Sequence, residues 1–429
     1  MTAEELVPKA KMLTLIVSQL ASYGFANLAK AVAEHTNTEA SAVLDPSNLL
    51  VEYCYKGMKS GDNEKNEEVD GSSNEEAQDQ AQEASKEEPE TKAKTSTMLD
   101  WDTADFNAPI QIPNYTTPYI TIHQAACRTA AYSCDGKLIA TGSLDSTSKV
   151  FDASKIDVHS ENPEDKPVIR TLYDHSEPVN GLAFHPNGLV LASCSDDLST
   201  KLYDVSKPVI RRSFRYFQDS FKVNSICFHP SGDYLASGTD HTNVRVYDVR
   251  TFQCYTPGKP DKFHTASINS VRFSKQGNII ASTSMDGSIK IWDGVSGDCI
   301  RTFENAHKGA AVVSCEITNN NKYILTSGLD SIVRLWDISS GRVLQSYQGA
   351  VQYKFSCNAA LSYDEKFIFS GDESTSTVVC WNALTGQLVN KLSGHTAPVR
   401  CIATSPVGTG FVSCSEDSRA RFWSIAKAN

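Results

Sequence analysis

Apolar residues recur along this chain with two different periods. Over residues 6–59 the period is helical. Leu13, Ile16, Val17 and Leu20 fall at i, i+3, i+4 and i+7, and Phe25, Leu28, Ala29 and Val32 repeat that spacing, so each set occupies one helix face. Tyr23-Gly24 separates the two, with Gly24 suited to a left-handed helix end. Asp45 as N-cap and Pro46 at the first helical position start a third helix that would bury Leu49, Leu50, Tyr53 and Cys54. From about Tyr119 onward the pattern changes. Short alternating or fully apolar runs such as IKIW and VRLW read as half-buried strands. AFHPNG and CFHPSG join such runs through Pro then Gly, as tight turns require.

The strand region is self-similar. Its repeats end on Phe151-Asp152, Tyr203-Asp204, Tyr247-Asp248, Trp292-Asp293, Trp336-Asp337, Trp381-Asn382 and Trp423-Ser424, at spacings of 52, 44, 45, 44, 45 and 42. A period of about 40–45 with an aromatic-Asp ending marks the WD repeat, one four-stranded propeller blade per copy. Seven registers predict a mainly β protein, a seven-bladed WD-repeat propeller over 105–429. A small helical domain (1–60) and a linker (61–104) precede it. The longest spacing holds a charged, proline-bearing loop between Ala153 and Pro167. The last repeat ends soon after Trp423, so its fourth strand must come from elsewhere. Residues 119–122, YITI, have strand composition and are expected to supply it, closing the ring and removing two exposed edges.

Within the repeat, polar residues recur in register. Six before the aromatic stand Asp145, Asp197, Asp286, Asp330 and Asp417, with a hydroxyl four residues earlier still at Thr141, Ser193, Ser282, Thr326 and Ser413. His123, His175, His264 and His395 precede the Asp by 22, and His307 by 23. In WD proteins these groups form a buried chain from His to Asp and on to the hydroxyl and the Trp N–H. It can be completed at Trp292, Trp336 and Trp423, whereas Phe151 and Tyr203 substitute in the first two blades. Blades 3 and 6 depart from it, with Asp219 and His241 in one and Tyr353 and Thr375 in the other. A catalytic triad is needed once, so a His/Asp/Ser set at one position of five repeats reads as scaffolding.

Five residues after the His position lies a second ring: Arg128, Asn180, Asn224, Asn269, Val313, Asn358 and Arg400, with blade 5 placed by its Asp. In a propeller this position faces the mouth of the central channel. Four amides and two guanidiniums at one mouth predict a rim for an extended or phosphorylated peptide. The plainer alternative is a common repeat position whose amides are hydrated. Arg211, Arg212 and Arg215 with Tyr216 and Phe217 read as an outer strand with snorkelling arginines, or else as a basic-aromatic patch.

Charge refines the organisation. The 429 residues carry a formal net charge of −11. Residues 61–100 hold 13 acids and 4 lysines, net −9, which leaves −2 for the other 389. The acidity is thus a property of the linker, which reads as a solvated tether or an acidic segment for a basic partner. An acidic chain argues against a broad electrostatic grip on nucleic acid. No apolar run approaches the ~18 residues of a membrane span, and the acidic N-terminus is unlike a signal peptide. None of the 12 cysteines is spaced C-x-x-C, so neither a zinc site nor a disulfide framework is expected, and a reduced intracellular setting is. Phosphate-binding loop, dinucleotide and HExxH motifs are missing, and neither Lys56-Gly57 nor Lys308-Gly309 continues into an RNP1 motif. These readings give no metal, no cofactor and no catalytic residue.

Two stretches carry family likeness. Leu20, Tyr23-Gly24-Phe25 and Ala29 resemble a LisH-type dimerisation motif. Over nearly the whole chain, LIVSQLASYGFANLAKAV (15–32), PVIRTLYDH (167–175), TFQC (251–254), IKIWDGVSGDCIRTFENAHKGA (289–310) and SRARFW (418–423) resemble the WD-repeat subunits of cleavage stimulation factor. The acidic 61–97 tether and the short 153–167 loop depart from that resemblance. It implies a nuclear, non-enzymatic subunit of the machinery that cleaves and polyadenylates pre-mRNA. It further implies a homodimer through the N-terminal domain, with Leu13, Ile16, Val17, Leu20, Phe25, Leu28 and Val32 at the interface. The implied partners are a HAT-repeat scaffold subunit and the RNA polymerase II C-terminal tail, with RNA contacted mainly by other subunits. Two alternatives are a ubiquitin-ligase substrate receptor, from the YDVR ending at 247–250, and a scaffold of another nuclear complex.

Overall fold

A computed structural model describes residue 101 and residues 113–157, 166–207 and 212–425. The N-terminal helical expectations, including Leu13, Ile16, Val17, Leu20, Phe25, Leu28 and Val32, lie outside these residues, as do the acidic 61–100 stretch and Arg211. The described strands form seven four-stranded antiparallel sheets. The innermost strands are Cys127–Tyr132, Val179–Phe184, Val223–Phe228, Ile268–Phe273, Val312–Ile317, Ala360–Leu361 and Val399–Thr404, and they set blades 1 to 7 around a central channel.

The third strands of blades 1 to 5 end on the aromatic-Asp register of the sequence, as in Ile289–Asp293 and Val333–Asp337. Their apolar residues face both neighbouring blades, so the third strands of blades 4 and 5 are buried at four of their five positions. The hydrophobic cores therefore lie between blades. Cys127, Ile139 and Phe151 of blade 1, for example, pack with Val412, Ala420 and Phe422 of blade 7.

Blade 7 closes the ring. Its sheet runs in the order Tyr115–Ile122, Arg419–Ile425, Phe411–Ser415, Val399–Thr404. The closing strand is longer than the four residues expected. Tyr115 pairs with Ile425 and Ile122 with Arg419, and the register slips between Thr116 and Tyr119. Pro118 sits in that slip; it has no N–H to give a ladder, and an edge strand tolerates it. Tyr119 packs 5.5 Å from Phe422 and 6.3 Å from Phe151, while Tyr115 packs 5.1 Å from Phe411 and 5.9 Å from Phe369. One strand thus ties blade 7 to blade 1 at one end and to blade 6 at the other. Each aromatic pair contributes about 0.5–1.5 kcal/mol beyond its area burial.

Trp101 falls within the 61–104 linker of the sequence reading, yet it packs on the propeller. It lies against the core shared by blades 5 and 6, and its backbone N–H donates to the Tyr323 hydroxyl at 3.1 Å. An indole covers enough apolar surface to anchor a chain that composition alone marks as polar.

Candidate functional site

In each set a buried His from just before the blade's first strand meets a hydroxyl on the second strand and an Asp in the turn between the second and third strands. In blade 4, His264 Nδ1 meets Asp286 at 3.2 Å and Ser288 Oγ at 2.9 Å, its Nε2 meets Ser282 Oγ at 2.8 Å, and Trp292 Nε1 donates to Ser282 at 2.9 Å. In blade 5, His307 joins Asp330 at 2.7 Å and Thr326 at 3.0 Å, and Trp336 donates to Thr326 at 2.9 Å. In blade 7, His395 joins Asp417 at 2.9 Å and Ser413 at 2.7 Å, and Trp423 donates to Ser413 at 2.8 Å. Blade 2 holds His175 at 2.7 Å from Asp197 and 2.6 Å from Ser193. In blade 1, His123 lies 2.9 Å from Thr141 and 3.4 Å from Asp145.

Burial holds the pKa of His264 and His307 below the ordinary value, despite their carboxylate partners. For Asp197 and Asp286 burial alone would act upward, but bonds from the histidines and from Ser199 and Ser288 hold both carboxyls well below the usual range. Every hydroxyl in these sets is already bonded to its imidazole and shut from solvent, so none is presented to a substrate. Their chemistry is cohesive. An orphaned member costs about 1–3 kcal/mol.

Two blades use other groups, and here the sequence register needs correction. In blade 3, Asp219 takes the His position. It accepts from Arg245 and from the Tyr247 hydroxyl at 2.6 Å, and caps Ser220 N at 2.7 Å and Phe221 N at 3.2 Å. The set is replaced rather than broken, while His241 lies against Phe221, ring centroids 4.7 Å apart. In blade 6 the residue in the His position is Gln352, not Tyr353. Gln352 Nε2 donates to Ser370 Oγ at 2.9 Å, across the same 18-residue separation that joins His175 to Ser193. Tyr353 is 73% exposed. Counting back from the hydroxyl rather than from the aromatic would have found Gln352.

The seven rim residues line one channel of about 430 Å³. Its asparagines, however, are not a free collar of amides. Asn180 Nδ2 donates to Asp196 at 2.7 Å and to the Val223 carbonyl at 3.1 Å, and Asn224 Nδ2 to Asp240 at 2.9 Å and the Ile268 carbonyl at 3.0 Å. Asn269 donates to the Val312 carbonyl at 2.7 Å. Asn358 both donates to the Ile402 carbonyl and accepts from its N–H, each at 2.7 Å. Each amide reaches the innermost strand of the next blade, so these side chains staple blade to blade. A single repeat cannot reveal this, because the partner belongs to its neighbour.

The two arginines differ. Arg128 donates one NH1 bond to Asn180 Oδ1 at 3.2 Å, and its Nε has no partner. Arg400 pairs with Glu416 at 3.1 Å and lies 5.2 Å over the ring of Phe355. Burial depresses the Arg400 pKa, the charge of Arg128 adds to the effect, and Glu416 opposes it.

The basic-aromatic run resolves into the blade 2 outer strand, Arg215–Gln218. Phe217 is buried, and Arg215 lies 4.9 Å over Phe252 of blade 3. The YDVR ending leaves Arg250 on the surface, paired with Asp233 at 3.0 Å. Among the described residues no group of three or more His, Cys, Asp or Glu is placed to hold a metal, and no helix is long and apolar enough to cross a membrane.

Comparison with known proteins agrees with this architecture. The WD domain, G-beta repeat model matches residues 116–152, 166–204 and 386–424, and a Vps8 beta-propeller model matches 200–396. The Cps50 (Swd1) β-propeller domain of Myceliophteria thermophila superposes with a TM-score of 0.62 at 17% identity, over 73% of this chain and all of that one, a likeness of fold. Periodic tryptophan protein 2 of Saccharomyces cerevisiae is 35% identical over 162 residues, 38% of this chain and 17% of its own length. Cleavage stimulation factor subunit 50 of Arabidopsis thaliana is 37% identical over 413 residues, 95% of this chain and 94% of the plant protein. A match over 95% of this chain and 94% of its relative is a whole-protein relationship, and on it the chain belongs to the cleavage stimulation factor subunit 50 family of WD-repeat proteins.

Proposed function

We propose that this chain is a non-catalytic, nuclear interaction subunit of the complex that promotes pre-mRNA 3′-end cleavage and polyadenylation. The observation that carries this reading is the length of the relationship. A generic propeller would match over blades alone, whereas the plant cleavage stimulation factor subunit aligns over 413 residues. The buried, mutually satisfied His-Asp-hydroxyl sets support a role without catalysis, since no nucleophile is left accessible among them. Its partners are the HAT-repeat scaffold subunit of cleavage stimulation factor and the RNA polymerase II C-terminal tail. RNA is contacted mainly by other subunits, consistent with the acidic balance of the chain.

The helical domain, residues 1–60, makes the subunit a homodimer. About 54 residues are marginal as an independent core, and a second copy would remove the shortage. Leu20→Asp with Phe25→Asp should abolish the dimer, read by analytical ultracentrifugation. A wild-type 1–60 segment that stays monomeric at high concentration would remove this part of the reading. The whole reading is tested by affinity purification from nuclear extract, with processing-factor subunits expected. Recovery of a ubiquitin-ligase adaptor, or of another complex without those subunits, would overturn it.

A further inference from the structure

The lining of the central channel holds three guanidiniums, Arg128 of blade 1, Arg272 of blade 4 and Arg400 of blade 7, and one carboxyl, Glu316 of blade 5. Burial pushes the Glu316 carboxyl up to about 7, against the bond it accepts from Leu361 N, so near neutral pH it is only partly ionised. The lining itself is therefore net positive, with the carboxylates Glu416, Asp196 and Asp240 bonded to residues at its rim.

The three arginines are not equally committed. Arg272 lies along the wall, its NH1 donating to Ser225 Oγ at 3.2 Å and the Val271 carbonyl at 3.0 Å. Arg128 and Arg400 stand on the neighbouring first and last blades. They repel one another, and between them they have Asn180 Oδ1 and one carboxylate, Glu416. A guanidinium presents five donors, so most of theirs have no acceptor in the protein. Beside them a loop is fixed in place. Glu373 accepts from the N–H groups of Tyr353, Lys354 and Phe355 at 2.9, 3.0 and 3.2 Å, and this sets Phe355 against Arg400. Tyr353 and Lys354 are left exposed at the same edge.

We propose that this sector is an anion site, in which Arg128 and Arg400 chelate a carboxylate or phosphate carried by an extended acidic or phosphorylated peptide, with Tyr353 and Phe355 as its apolar lip. The asparagines are secondary, since each already donates to the next blade. Charge complementarity selects the occupant, because an anion relieves the repulsion of two adjacent guanidiniums and supplies the acceptors they lack. A nucleic-acid strand is the poorer fit. It needs a basic track along many phosphates, and here the positive charge is confined to one channel. The inference does not depend on the 3′-processing role and would stand if that role failed, because its test uses the purified chain alone.

The test is fluorescence anisotropy on the full chain with four labelled probes: a Gly-flanked octaglutamate, a peptide of alternating Gly and phosphoserine, an octalysine and a U-rich 12-mer RNA. Both acidic peptides should bind, and the tighter of the two shows whether carboxylate or phosphate is preferred. Arg128→Gln and Arg400→Gln should each weaken binding about tenfold or more, the usual loss for one charged hydrogen-bonding group. Glu416→Gln should tighten binding severalfold, because it removes the carboxylate that competes for Arg400 while leaving both guanidiniums. A purely structural arginine pair would show no such gain. Thermal midpoints are measured alongside; if an arginine variant unfolds, the Glu416→Gln result decides. The proposal is overturned if neither acidic peptide binds, if the arginine variants bind them as wild type does, or if Glu416→Gln leaves affinity unchanged. It is replaced by an RNA site if the 12-mer alone binds and loses affinity in the arginine variants.

Discussion

Asp219→Ala should be the costliest single polar substitution in blade 3. Asp219 is 3% exposed in its side chain and serves four donors: Arg245, the Tyr247 hydroxyl, Ser220 N and Phe221 N. Removal leaves the buried Tyr247 hydroxyl without its acceptor and the Arg245 guanidinium without its charge partner. Breaking a buried pair from one side costs about 3–5 kcal/mol. Arg245 is 18% exposed in its side chain and so regains some hydration, which places the change near the lower end. At about 2 °C per kcal/mol for a domain of this size, a loss of ~3 kcal/mol lowers Tm by about 6 °C, read by calorimetry or differential scanning fluorimetry. Arg245→Leu added to Asp219→Ala should return part of that loss, because the stranded charge goes with it. A coupling of about 1–2 kcal/mol is the expected size. If the double variant is no more stable than Asp219→Ala, the cost is not that of an uncompensated guanidinium, and the replaced set in blade 3 is not held by its ion pair.

Three further outcomes are expected. Gly328→Ala should destabilise by about 1–3 kcal/mol, because its Cβ would lie 2.2 Å from His307 Nδ1; Gly408→Ala, whose nearest neighbour would be 3.6 Å away, should be silent in the same melts, and equal effects would refute the clash. Stability should fall as pH drops below about 6.5: the pKa values of His264 and His307 are lowered by burial, so protonation favours the unfolded chain, and Tm would stay flat to pH 5 if they were not buried neutral. Below pH 4 the fall should continue, since Asp372, where Thr375, Ser374 and Lys391 outweigh burial, is held at about 2, and Asp372→Asn should lessen it. A chain beginning at Thr129 loses the closing strand and His123 and should be protease-sensitive, whereas one beginning at Asp105 should resist; equal resistance would mean that pairing with Arg419–Ile425 is dispensable.

The fold was legible because its signals repeat. Seven aromatic endings and five His-Asp-hydroxyl registers are copies of one local solution, and periodicity needs no knowledge of the partner strand. Closure was legible for a related reason: a last repeat short of one strand demands a donor, and YITI is placed to be one. The misreadings all concern groups whose partners lie outside their own repeat or outside its usual register. The rim asparagines look available until the next blade supplies Val223, Ile268 and Val312 as acceptors. Asp219 looks like a defect until Arg245 and Tyr247 are seen beside it, and Gln352 is hidden by an 11-residue step from Ser370 to Trp381 where other blades take 10. Trp101 is a lone aromatic in polar sequence, and only the core it covers distinguishes it from the linker.

Ring closure also orders events during synthesis. Tyr115 leaves the ribosome 310 residues ahead of Ile425, its partner in the last sheet. At roughly 5–20 residues per second, the first strand waits about 15–60 s for the last. Throughout that interval Tyr115 and Tyr119 belong to an unpaired edge, and blades 1 and 6 lack the neighbour that covers Phe151 and Phe369. A chain that stops before Arg419 never ends the wait. It would keep an aromatic strand with nothing to pair with and an open blade beside it, which are features that chaperones and proteases recognise. The last strand thus acts as a seal on translation, because only a polypeptide made to its final blade can hide its first.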